Sequence, residues 1–154
     1  MYTKSRHAEK IKKFLKTRQI DFEIFTTKDD PTESFETSYY DGKQFDLGIS
    51  YCYPRKISEP LLSTPKQGFV NYHPAPLPKY KGPTELDEAI KNKEINWGVT
   101  LHQMDESYDT GKIIKMKEIT LHEPPISKQE LGAISHYFLF ILFKETIDDL
   151  LKSI

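Results

Sequence analysis

Cysteine is nearly absent from this chain: Cys52 is the only one among 154 residues. A lone thiol excludes an internal disulfide framework and fits a reducing compartment. Its first reading is a small packing residue. Long apolar runs are also missing. The greasiest stretch, residues 137–143, is far shorter than the roughly 20 residues a spanning helix needs. Residues 1–18 are polar and basic with no apolar segment, so no secretory leader is expected and the expected location is cytoplasmic. Neither sign of charge dominates: 22 basic residues face 23 acidic ones, for a net charge of −1. That balance gives no reason to expect nucleic acid or an anionic membrane as partner. Tyr39, Tyr40, Tyr51 and Tyr53 are not interleaved with a basic stripe, and read as core or pocket wall. No repeat or low-complexity tract is visible. No Ser or Cys stands in a nucleophile setting. His73, His102 and His122 lack the short spacing of a zinc site, so no metal is expected, and His102 reads as a supporting or packing residue. Asp105 and Glu106 read as a solvated turn, since a glycosidase pair would need a second positioned acid.

What is present suits a folded chain. Charged residues make up 29% and aromatics 12%, which fits one globular domain over residues 1–154. Ala8, Ile11, Phe14 and Leu15 at helical spacing predict a helix over 7–18, with Lys10, Lys12, Lys13 and Lys16 on its other face. Strands are expected over 21–25, 45–51, 68–73, 96–104 and 112–121, with a polar loop over 26–43 and a short helix near 57–62. Pro83 suits the first turn of a helix carrying Leu86, Ala89 and Ile90. Ser127 and Glu130 form a capping box opening a final helix to about residue 152. That helix is apolar almost all round at 137–143, so it must be buried on more than one side, by the sheet or by a second subunit. Strands alternating with helices predict an α/β fold with a mainly parallel sheet.

The densest chemistry lies in Phe69-Val70-Asn71-Tyr72-His73-Pro74-Ala75-Pro76-Leu77-Pro78, then Gly98-Val99-Thr100-Leu101-His102-Gln103-Met104-Asp105, then Asp109-Thr110-Gly111. On a strand, Asn71 and His73 leave on the same face. Pro74, Pro76 and Pro78 stiffen the exit. An amide that donates to a negative oxygen, an imidazole that moves protons near neutral pH and a carboxylate that orients it suit acyl transfer to an amine. The bland alternative is a rigid proline loop followed by an ordinary turn at Asp109.

These motifs, in this order, resemble the folate-dependent formyltransferases, the family of glycinamide ribonucleotide, methionyl-tRNA and sugar-nucleotide formyltransferases. The residues that carry the likeness are Asn71-Tyr72-His73-Pro74, Leu77-Pro78, Tyr80-Lys81-Gly82, Ala89-Ile90, Gly98-Val99-Thr100 and Asp109-Thr110-Gly111, across residues 45–114. The resemblance implies a Rossmann-like sheet and a catalytic trio of Asn71, His73 and Asp109. It implies 10-formyltetrahydrofolate as donor and a small-molecule primary amine as acceptor. It further implies donor contacts at Tyr51, Cys52, Tyr53, Met104, Asp105 and Tyr108, largely through backbone groups. Ala75-Pro76 stands where many relatives carry Ser-Leu, which leans toward the amino-sugar branch. Methionyl-tRNA is disfavoured for want of a C-terminal tRNA-gripping domain, and glycinamide ribonucleotide for want of a phosphate loop. The family's first apolar strand is expected to be missing, because residues 1–6 are polar and run straight into a helix pattern. That absence motivates a non-catalytic alternative, a shortened relative that binds folate or a partner. A homodimer through the final helix is a further expectation.

Overall fold

The computed structural model describes residues 1–26, 42–57 and 59–152, folded into two compact units, Met1–Phe69 and Val70–Ile154. Tyr39, Tyr40 and most of the loop expected over 26–43 lie outside the described residues.

The first unit holds β1 (Tyr2–Thr3), α1 (Ser5–Thr17), β2 (Phe25–Thr26) and β3 (Gly48–Tyr51). The first strand is therefore present, which corrects the expectation of its absence. β1 runs parallel to strands on both sides, with Tyr2 opposite Phe25 and Ser50, and Thr3 opposite Thr26 and Tyr51. Buried Thr3 donates its hydroxyl to the Tyr51 carbonyl at 2.8 Å. Two residues are too few to show a period of two, and pairing on both flanks makes the strand without an apolar run. The strand expected over 21–25 is displaced to β2, sharing only Phe25 with it, the one over 45–51 shortens to β3, and the helix near 57–62 is one 3₁₀ turn, Leu61–Ser63. In α1 the stripe Ala8, Ile11 and Leu15 is buried while Lys10, Lys13 and Lys16 are exposed. The helix stops where Gln19 turns left-handed at φ 57° and the Ile20 N–H reaches back to the Leu15 carbonyl at 3.3 Å. Gly48 opens β3 against the Phe69 ring, where a Cβ would collide with it.

The second unit holds β4 (Phe69–His73), which begins at the boundary, then α2 (Glu85–Lys91), β5 (Asn96–Gln103), β6 (Ile113–Thr120) and α3 (Lys128–Lys152). β5 is antiparallel to both β4 and β6. The α/β class expected from the sequence stands, with parallel pairing holding β1 to its neighbours and antiparallel pairing holding β5 to its own. One face of β4 and β5 packs on α3. There Tyr72 shares a 2.8 Å hydrogen bond with Thr146 and meets the Phe143 ring at 5.2 Å, and the Trp97 indole donates to Ser135 at 2.8 Å. α3 buries Leu131, Leu139, Leu142, Phe143 and Ile147, whereas Tyr137 is 61% exposed, so its burial follows a stripe and is not all round. The capping box forms: Ser127 Oγ accepts the Glu130 N–H at 3.1 Å, and Glu130 reaches back to the Ile126 N–H at 3.0 Å. The opposite face of β4 and β5 carries Asn71, His73, Thr100 and His102.

Candidate active site

The antiparallel register builds the site before any loop contributes. Asn71 lies opposite His102, and His73 opposite Thr100. Residues directly across a sheet share a face, so an amide, two imidazoles and a hydroxyl stand together. Between Leu101 and His102 the pairing of β5 with β6 slips, leaving Ile114 unpaired in a bulge beside His102.

Two loops close over this face. The exit from β4 is pinned by Thr100, whose hydroxyl donates to the Ala75 carbonyl at 2.8 Å and accepts the Leu77 N–H at 3.1 Å. Further on, the chain returns so that His73 Nε2 donates to the Tyr80 carbonyl at 2.7 Å. The Tyr80 ring is buried against Trp97, which fixes that carbonyl. The second loop follows β5. Asp105 accepts the Ser107 N–H at 2.9 Å and the Thr110 hydroxyl at 2.7 Å, tightening the turn. Asp109 sits at φ 54°, a left-handed backbone that Asp tolerates better than most residues. At Gly111 a side chain would run into the Gln103 carbonyl, so only glycine lets the loop come this close.

Asp109 is the hub. Its Oδ2 accepts the Gly82 N–H at 2.8 Å. Its Oδ1 accepts the Asn71 amide at 3.3 Å and faces His102 Nε2 at 3.4 Å and His73 Nδ1 at 3.6 Å. Asn71 Nδ2 also donates to His102 Nε2 at 3.2 Å, and His102 Nδ1 donates to the Gln103 carbonyl at 2.7 Å. Burial by itself pushes the Asp109 carboxyl up. The His102 ring beside it, the charge of His73 and the Gly82 N–H outweigh burial and hold it at about 2. The carboxylate is thus ionised at neutral pH and available to hold an imidazolium.

Asn71, His73 and Asp109, singled out from the sequence, are brought together. The remaining candidates divide between the units. In the first, Tyr51 is buried against the His7 ring, Cys52 is buried with φ 49°, and Tyr53 is half-buried. In the second, Met104 is half-buried, Asp105 is committed to its own turn, and Tyr108 is 58% exposed. The sequence offered His102 only as a supporting or packing residue, and it gave no sign of the Gly82 N–H or the Tyr80 carbonyl. The signal for His102 was its spacing of two from Thr100, but the register that sets it opposite Asn71 is not visible in sequence.

A family model described as formyl transferase matches residues 3–134. This chain belongs to the formyl transferase family. Among its relatives, the bifunctional polymyxin resistance protein ArnA of Wigglesworthia glossinidia brevipalpis is 35% identical over 108 residues, covering 70% of this chain and 16% of that protein. The GDP-perosamine N-formyltransferase of Brucella melitensis is 38% identical over 101 residues, covering 64% of this chain and 38% of that protein. The chain thus spans well under half the length of these relatives. The formyltransferase PseJ of Anoxybacillus kamchatkensis, solved with UDP-4,6-dideoxy-4-formamido-L-AltNAc and tetrahydrofolate, superimposes with a TM-score of 0.77 at 24% identity, covering 97% of this chain and 74% of that one. At that identity the likeness establishes the formyl transferase fold.

Proposed function

We propose that this chain transfers a formyl group from 10-formyltetrahydrofolate to the primary amine of a nucleotide-linked amino sugar. The observation that carries the reading is the convergence of Asn71, His73 and an ionised Asp109 on one face of β4 and β5. The donor is a substrate here, and it supplies the formyl carbon. Asn71 offers an amide N–H, and His73 a cationic ring, to the oxygen that becomes negative as the amine adds. Asp109 holds His73 charged and oriented. Asp109, through water, also helps carry the proton that leaves the amine nitrogen to the departing nitrogen of the donor, so no net proton is consumed. Tyr51, Cys52, Tyr53, Met104, Asp105 and Tyr108 are the proposed donor contacts. The amino-sugar acceptor is favoured by likeness to GDP-perosamine N-formyltransferase and by the formamido sugar nucleotide bound in PseJ.

The test is a panel of amines with 10-formyltetrahydrofolate: GDP-perosamine, the UDP-linked 4-amino sugar corresponding to the formamido sugar bound in PseJ, glycinamide ribonucleotide and methionyl-tRNA. Turnover with a sugar nucleotide supports the reading, and turnover only with one of the other two replaces the acceptor. Asn71→Ala, His73→Ala and Asp109→Ala are each expected to cut kcat about a hundredfold or more while the chain stays folded. Near-normal turnover in any of them removes that residue from the trio.

A further inference from the structure

The two imidazoles around Asp109 are held alike. His73 Nε2 is committed as a donor to the Tyr80 carbonyl, and His102 Nδ1 as a donor to the Gln103 carbonyl, each at 2.7 Å. Each ring can therefore change its protonation only at its other nitrogen. Those nitrogens, His73 Nδ1 and His102 Nε2, face the same carboxylate oxygen, Asp109 Oδ1, at 3.6 and 3.4 Å. The ring centroids are 6.4 Å apart.

Counting protons narrows the states. With neither ring charged, two lone pairs would face one carboxylate oxygen. With both charged, the cluster would keep a surplus positive charge where His73 is 5% and His102 2% exposed. One proton between the rings leaves the cluster neutral. We propose that His73 and His102 share a single proton over Asp109, so that His102 is a positioning residue that sets the charge of His73. When the proton is on His73, the His102 Nε2 lone pair accepts the Asn71 amide. When it is on His102, that nitrogen donates to Asp109, the Asn71 contact is lost, and His73 is free to act as a base. The Asn71 bond thus biases the proton toward His73, the ring that must be positive when a negative oxygen forms beside it. The groups facing the pair are Asp109 from the loop after β5, Asn71 from β4, and the Tyr80 carbonyl from the loop after β4, with the Gly82 N–H on the far carboxylate oxygen.

The consequence for turnover rests on the formyl-transfer reading, but proton sharing is read without any substrate. The experiment is a pH titration of the ¹⁵N-labelled full chain, following the ring nitrogens of both histidines by NMR. Wild type is expected to show His73 Nδ1 and His102 Nε2 moving together, with about one proton taken up between them in a single step. In His102→Gln, whose amide oxygen can accept from Asn71 but cannot be charged, His73 has Asp109 to itself. The His73 Nδ1 signal should then pass through its full protonation amplitude in one step, where wild type shows only a share of it, and the pH profile of kcat should change with it. His102 remaining neutral with its proton on Nδ1 while His73 alone takes up a full proton overturns the proposal. So does a His73 step in the variant with the same amplitude as in wild type. Should His102→Gln not fold, the wild-type titration still decides. A wild type that formylates nothing in the panel would overturn the proposed function and leave the titration result standing.

Discussion

Asp109 shows how much one side chain can be asked to do. It bonds Asn71 and the Gly82 N–H and faces two imidazoles, and its carboxyl lies at about 2, against 3.8 for the ordinary group. A carboxyl lowered on folding contributes stability above its unfolded value, and that contribution is lost as pH falls from about 4 to about 2. The difference corresponds to roughly 2 kcal/mol at neutral pH. Asp109→Asn should therefore flatten the acid limb of the stability profile over that window. Urea titrations of both proteins at pH 5, 4, 3 and 2 measure this, and parallel curves would show that Asp109 has no such linkage.

At the scale of elements, the site depends on how close two loops come to the β4 and β5 pair. Gly111 is the tightest point, because any Cβ there meets the Gln103 carbonyl. Gly111→Ala must push the loop outward and carry Asp109 with it. Turnover should fall about tenfold or more, since small misplacements of a reacting group are costly in rate. The helices and the pairing of β4 with β5 should stay intact, so unchanged far-ultraviolet dichroism beside reduced kcat is the expected pair of results. Thr100→Val tests the other loop by removing the hydroxyl that donates to Ala75 and accepts from Leu77. It leaves two buried backbone groups unsatisfied and should cost about 1–3 kcal/mol, read from the urea midpoint. A variant as stable as wild type would mean that the proline segment holds itself in place.

For the molecule as a whole, the prediction concerns the donor. A ligand that binds only the folded chain stabilises it by mass action, by about 2.7 kcal/mol at a hundredfold excess over its Kd. 5-Formyltetrahydrofolate should bind saturably in calorimetry and raise the melting temperature in step with its concentration. A well-folded sample that neither binds it nor gains stability would return weight to the non-catalytic alternative. The first strand whose absence motivated that alternative is present, as the two residues of β1 between β2 and β3.

Asn71, His73 and Asp109 were legible as candidates in the sequence, because Asn71-x-His73 before prolines and Asp109-x-Gly111 are local patterns whose chemistry shows in residue type. The longer elements, α1, α3, β5 and β6, were legible too, because periodicity extends over enough residues to be read and a capping box marks the start of α3. Tertiary structure decided what depends on partners distant in the chain. The strand at Tyr2–Thr3 exists because neighbours pair with it on both sides, not because of any pattern within two residues. His102 enters the site because antiparallel register sets it across from Asn71, 31 residues away. Register is a long-range choice among shifts, and one step would have turned His102 to the opposite face.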